Sequence, residues 1–276
     1  MPSAQDDSSR KRDKSRKHDL PRTREKSSAQ DTSRMRHEFR ARDKSRTRHK
    51  LNEYKRRAAE CAVEFVESGM VVGLGHGTTA GFAVVLIGEL LRVGRLNDII
   101  GIPCSNEMEA EAVRAGIPTG TLETHPEIDL TIDGADEVDP RLDMIKGGGG
   151  ALLREKVVAE ASRRRIYIVD ETKLSPCIGT LHSVPVEVTP FAWKPVSAYL
   201  TSLKATSVVR REKNGRPFLT DQGNFILDCN FGRLEKPEKL AAGLKGRAGI
   251  IEHGLFLGLA TDVIVSGPAG TKHMTR

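Results

Sequence analysis

From Leu51 onward the apolar positions change period repeatedly, and each change predicts an element. Spacings of three and four residues predict an amphipathic helix over residues 52–67, which gives way at Ser68-Gly69 to a short apolar strand over 70–74. A glycine turn and a second helix, 79–92, follow. Further strands are predicted at 99–104, 128–132 and 166–169, separated by helices over 107–115 and 151–163. Strands alternating with helices imply a mainly parallel sheet covered on both faces. Ligands of such sheets bind beyond the carboxyl ends of the strands.

Between residues 185 and 253 the order changes to strand (186–188), helix (193–203), strand (207–211), turn (220–224), strand (225–229), helix (237–244) and strand (250–253). That is a split βαβ unit, the ferredoxin-like arrangement. The chain then returns to its first pattern over 255–267, where Asp-Val-Ile-Val-Ser-Gly predicts a closing strand. The expected fold is therefore α/β: a Rossmann-like, mainly parallel sheet domain (51–184 and 254–276) with an inserted smaller ferredoxin-like α+β domain (185–253).

Residues 1–50 carry no such pattern. They hold one aromatic, Phe39, and the run Arg-Asp-Lys-Ser-Arg twice, at 12–16 and 42–46. Burial cannot offset the chain entropy of such a segment, so a basic, disordered tail is expected. Eight acidic residues count against a transit peptide, and the absence of interleaved aromatics counts against an RNA-binding arm. The tail also accounts for the formal charge of +7: it holds 17 Lys and Arg against 8 Asp and Glu, while the other 226 residues hold 27 against 29. No basic face is left for the folded part, and no nucleic-acid partner is expected beyond weak contacts of the tail.

Cys61, Cys104, Cys177 and Cys229 are spaced too widely for a zinc site or a small disulfide framework and read as reduced thiols of a cytoplasmic protein. The most apolar stretch, residues 71–91, is interrupted by His76, Thr78, Thr79, Glu89 and five glycines, so no membrane span is expected. No apolar run behind a charged start marks a signal peptide.

Three segments carry candidate chemistry. Gly73-Leu-Gly-His76-Gly77-Thr78-Thr79 lies where a strand turns into a helix, and it reads equally as a phosphate cradle or as a tight turn capped by Thr. It has neither the lysine of a nucleotide P-loop nor a full dinucleotide fingerprint. Asp133-Gly134-Ala135-Asp136-Glu137-Val-Asp139 places four acids in seven residues just after a strand. A solvated loop or a hard-cation site is the plain reading, but the next features downstream, Lys146 and the glycines 147–150, suit an anionic sugar better. In the third segment, at 100° per residue, Glu155 falls in the middle of an apolar arc of Ala151, Leu152, Val158 and Ala159. Desolvation there raises a carboxyl toward the range of a general base unless a cation such as Lys146 or Lys173 holds it ionised; a Glu paired to a core partner is the alternative.

Taken in order, GLGHGTTA, TIDGADEVD, IKGGGGALLREKVVA, DETKL, PVEV, TDQGNFILD and EHGLFLGLA resemble the A-type ribose-5-phosphate isomerases from Leu51 to about Thr271. The resemblance implies an aldose–ketose isomerase of ribose 5-phosphate and ribulose 5-phosphate, without cofactor or metal, in the non-oxidative pentose phosphate pathway. It makes Glu155 the proton-abstracting base and sets Asp133, Asp136 and Lys146 along the sugar, Asp133 assisting ring opening. Gly134, Ala135, Gly147, Gly148 and Gly149 complete the sugar site, with Lys146 and the glycine amides stabilising the enediolate. Thr78, Thr79, Lys173 and Lys55 fall at the phosphate-contact positions, and His76 and Gly77 join the substrate site. His76 departs from the pattern, standing where the family usually has a small hydroxyl residue; it either contacts the sugar phosphate or adds a titrating group. A homodimer or homotetramer is also implied. The layout is similar as well to CoA-transferases and to sugar-phosphate-sensing regulators, but the acids beside Lys146 suit sugar hydroxyls, and no helix-turn-helix pattern precedes residue 70.

Overall fold

The computed structural model describes residues 46–276, and the expectation of a disordered tail lies outside them except for residues 46–50, which are helical. The described part of helix α1 covers residues 46–63. Next come β1 (Val71–Leu74), α2 (Thr78–Arg92), β2 (Ile100–Pro103), α3 (Asn106–Ala115) and β3 (Ile128–Asp133). Two short strands, β4 (Glu137–Val138) and β5 (Met144–Ile145), precede α4 (Leu152–Glu160), β6 (Ser162–Asp170) and a 3-10 turn, Glu171–Lys173. The chain continues through β7 (Val184–Val188), α5 (Trp193–Ser202), β8 (Ser207–Arg210), the hairpin β9 (Glu212–Lys213) and β10 (Arg216–Pro217), β11 (Phe225–Asn230), α6 (Pro237–Lys245) and β12 (Ile250–His253). It closes with β13 (Leu255–Phe256), β14 (Asp262–Gly267) and β15 (Gly270–Thr275).

The main sheet has the order β15-β14-β6-β3-β1-β2, parallel throughout except for the antiparallel edge strand β15. Alternation along β6 shows why it is covered on both faces. Ile166 and Ile168 pack with Ala58, Ala62 and Ile87 of α1 and α2, while Tyr167 and Val169 pack with Phe256 and Val263 on the opposite side. The second sheet has the order β12-β7-β11-β8, all antiparallel, which for a βαββαβ chain is the ferredoxin-like arrangement; Val196 and Leu200 of α5 and Leu244 of α6 close its core. Residues 49–276 form one compact unit.

The structure departs from the predicted elements most at β6. Ser162 and Arg163 fall at the end of the predicted helix over 151–163 but belong to the strand, which starts four residues before its predicted position and whose arginines find partners on the neighbouring connections and strands. Arg164 makes a double hydrogen bond to Asp262 (2.9 and 2.8 Å), and Arg165 Nε donates to the Leu259 carbonyl. Asp262 also meets His273 at 2.7 Å, and its carboxyl is held well below the usual range because the Arg164, Thr261 and His273 bonds outweigh burial. The Asp262–His273 contact also fastens β15, a polar edge strand with no apolar run to announce it. A third sheet, β13-β5-β4, is likewise unannounced, its strands being only two residues long.

Candidate active site

The site lies where the strand order reverses. β1 is followed by β2 on one side and has β3 on the other, so the loops leaving β1 and β3 part at their carboxyl ends and leave a crevice. The loop after β1 needs glycine twice. A Cβ on residue 75 would stand 2.2 Å from Asp133 Oδ1, and Gly77 holds φ at +96°, a conformation costly for any other residue. Gly77 starts α2 with no side-chain cap and no acid in the first turn, so the helix keeps its N-terminal N–H groups and positive dipole end for an anion. The Lys55 ammonium of α1 donates to Thr78 Oγ1 at 3.0 Å.

β3 delivers Asp133 at its last position, β5 precedes Lys146, and α4 carries Glu155 in its first turn. These three buried side chains meet: Lys146 Nζ is 2.8 Å from Asp133 Oδ2 and 3.4 Å from Glu155 Oε1, and it also donates to the Gly134 carbonyl. The rings of Tyr167 and Phe256 flank the ammonium, each centroid 5.4 Å away. Burial works against the charge on Lys146, but Asp133 and then Glu155 outweigh it and hold the ammonium above its ordinary value. For Glu155 the balance falls the other way. Burial pushes its carboxyl up to about 8, Lys146 opposes the rise, and Asp133 and Asp136 add to it. Glu155 Oε2 has no hydrogen-bond partner among the described residues.

A cleft of ≈ 510 Å³, open to solvent, gathers every site residue expected from the sequence except one. Lys55, His76, Gly77, Thr78, Thr79 and Lys173 line it together with Gly134, Ala135, Asp136, Lys146, the glycines 147–149 and Glu155. Asp133 is the exception. It lies behind the wall, its Oδ1 accepting from the His76 and Gly134 N–H groups (3.1 and 2.7 Å) and its Oδ2 holding Lys146. Asp136 faces the cleft and accepts from the Gly148 N–H at 2.7 Å. His76 Nδ1 lies 2.9 Å from Ser105 Oγ, the buried N-cap of α3.

The four acids of the 133–139 segment do not converge on one point. Glu137, fully buried, accepts four backbone N–H bonds, from Gly179, Thr180, Leu181 and His182, at 2.9–3.1 Å. Asp139 accepts from the Arg141 and Asp143 N–H groups. Glu137→Ala removes the acceptor from four donors at once and is expected to lower stability by ~3 kcal/mol, read as a fall in the urea midpoint at unchanged slope. A midpoint equal to the wild type's would mean that the 179–182 loop holds without this carboxylate.

Sequence reasoning missed the surroundings of the cleft. Ser105 carried a signal, since Ser before an amphipathic helix is a preferred cap. Tyr167, Phe256 and Cys104 did not, because their relation to Lys146, Asp133 and Glu155 exists only once strands far apart in the chain are laid side by side. Burial, then Asp133 and Glu155, push the Cys104 thiol well above its ordinary value.

A buried carboxyl raised by desolvation, an ammonium against it, and an uncapped helix N-terminus opening on the same cleft suit an enzyme acting on a small anionic substrate. Comparison with known proteins gives the family. The model of ribose 5-phosphate isomerase A (phosphoriboisomerase A) matches residues 100–270. Ribose-5-phosphate isomerase A of Chloroflexus aurantiacus is 54% identical over 221 residues, 80% of this chain and 92% of that protein. That of Desulfatibacillum aliphaticivorans is 53% identical over 220 residues, 80% of this chain and 96% of its own. A solved D-ribose-5-phosphate isomerase in complex with phospho-erythronic acid superposes with a TM-score of 0.80 at 38% identity, covering 82% of this chain and 99% of the other. The chain belongs to the ribose 5-phosphate isomerase A family.

Proposed function

We infer that this chain interconverts D-ribose 5-phosphate and D-ribulose 5-phosphate by moving a proton between C2 and C1 of the open-chain sugar through an enediolate. The observation that carries the residue assignment is Glu155 Oε2: a carboxylate oxygen of a buried acid, without a protein partner among the described residues, on a side chain that lines the cleft. Family membership supplies the reaction, and this oxygen supplies the base. Glu155 takes the C2 proton and returns it at C1, while Lys146 lies against the sugar oxygens and neutralises the charge that develops there. Asp136 and the glycines 147–149 orient the sugar hydroxyls. Asp133 assists ring opening; with Oδ1 committed to two N–H groups, it acts through Oδ2, the oxygen that holds Lys146. The solved relative bound to phospho-erythronic acid carries an anion that shares the phosphate of these sugars, and the uncapped α2 N-terminus with Thr78, Thr79, Lys55 and Lys173 is where such a phosphate is best held.

Conversion of ribose 5-phosphate by the purified full chain, followed by exchange of the C2 proton with heavy water, tests the reading; a protein that leaves both unchanged would refute it. Because phosphate contacts hold substrate and transition state alike, Lys173→Ala is expected to raise KM roughly tenfold with a smaller change in kcat. An unchanged KM would remove Lys173 from the site. We further propose that residues 51–184 and 254–276 act as the catalytic domain and 185–253 as a smaller one. The cytoplasm is the proposed compartment, which suits four free cysteines, and the working form is a homodimer or homotetramer. Among the described residues no helix is long and apolar enough to cross a membrane.

A further inference from the structure

Arg211, which joins β8 to β9, extends from the smaller sheet to the glycine segment that closes the cleft. Its Nη1 donates to the Gly147 carbonyl at 2.9 Å and to the Gly148 carbonyl at 3.1 Å. Its Nε and Nη2 grip both carboxylate oxygens of Asp228 on β11, a two-point pairing that fixes the plane of the guanidinium. The orientation of two peptide groups follows. In a trans peptide the N–H points opposite to the carbonyl of the preceding residue. With the Gly147 carbonyl turned to Arg211, the Gly148 N–H must face the other way, and it does, meeting Asp136 Oδ2 at 2.7 Å. With the Gly148 carbonyl also turned to Arg211, the Gly149 N–H must face away from it as well. Gly149 lines the cleft, and among the described residues its N–H has no acceptor.

We propose that Arg211 is a positioning residue that presents the Gly149 N–H to the cleft as a donor for the oxyanion of the enediolate. This rests on the reading of the cleft as the site of sugar isomerisation. The glycines allow the segment to turn but leave the direction of each N–H open, and the arginine removes that freedom. Lysine is a poor substitute, since its ammonium is a point donor without the planar fork that grips both Asp228 oxygens while Nη1 reaches the two glycine carbonyls.

The test is steady-state isomerisation of ribose 5-phosphate by the full chain carrying Arg211→Met, Arg211→Lys or Arg211→Ala, with thermal unfolding measured alongside. A preorganised donor acts in the transition state, so Arg211→Met is expected to lower kcat about 10–100-fold with KM within about threefold. Arg211→Lys should remain low in kcat, and it carries the test if the Met variant does not fold. Guanidinium ion, but not sodium at equal ionic strength, should recover part of the kcat of Arg211→Ala. Wild-type kcat in the Met or Lys variant would overturn the assignment, as would a loss expressed wholly in KM with no recovery by guanidinium. A wild-type chain inactive on ribose 5-phosphate would instead overturn the reading of the site itself.

Discussion

Glu155→Gln is expected to lower kcat for ribose 5-phosphate by about 10²–10⁴-fold, the usual worth of a general base, with little change in KM. The amide keeps the size and hydrogen-bonding reach of the carboxyl but cannot accept the C2 proton. Exchange of that proton with heavy water isolates the abstraction step, and exchange at the wild-type rate in the variant would move the base to Asp136 or His76, the other titrating side chains lining the cleft near the acids. pH supplies two further readouts. The base must be ionised, so wild-type kcat/KM should fall as pH drops below about 8. Stability runs in the opposite sense. With its folded value raised from 4.5 to about 8, Glu155 binds a proton more tightly in the folded state, so the wild type loses stability as pH rises through that window. The Gln variant has no such group, and its advantage in Tm over the wild type should grow from pH 4.5 to 8.

Lys146→Met is expected to be the most damaging single substitution in the cleft. It leaves Asp133 and Glu155 buried with no cation between them, and breaking a buried pair in this way costs about 3–5 kcal/mol. Catalysis should fall by about 10²–10³-fold from the lost stabilisation of oxyanion charge, and further because Glu155 takes up a proton once Lys146 no longer opposes its rise. The urea midpoint and kcat read the two effects separately. The stability deficit should be largest at high pH and shrink in acid, where Glu155 becomes neutral. A deficit independent of pH would point to the lost contacts of the ammonium with the Tyr167 and Phe256 rings as its cause. Wild-type kcat would remove the ammonium from the chemistry.

Much of this site was legible before any fold was known, for reasons that are local. A glycine-rich turn between an apolar strand and an amphipathic helix reads as either a phosphate cradle or a Thr-capped turn, and α2 begins one residue before the expected position, with Gly77 as its N-terminus and no side-chain cap. Helical geometry alone placed Glu155 on an apolar arc, and the side chain is 5% exposed. The βαββαβ order read over residues 185–253 leaves few ways to build a four-stranded sheet, and the ferredoxin-like one is found.

What the sequence could not decide involves partners remote in the chain. Ser162 and Arg163 have the polarity of a helix end, and the start of the strand is fixed by partners remote in the chain: Glu127 and Asp129 for Arg163, Asp262 for Arg164 and the Leu259 carbonyl for Arg165. Asp133 belongs to the expected site, yet whether it faces the sugar or stands behind Lys146 depends on how the loops after β1 and β3 meet. Arg211 gives no signal at all, being one of several basic residues near a hairpin until the smaller sheet is set against the glycines. By itself the sequence determined most of the helices and strands, because propensity, period and turn chemistry act over a few residues, while the residues proposed for the chemistry came from the glycine turn, the helical position of Glu155 and the family resemblance. The tertiary structure decided that burial raises the Glu155 carboxyl, which N–H is left unbonded and which charge is buried, because desolvation and Coulomb interaction depend on distances through space that no spacing along the chain records.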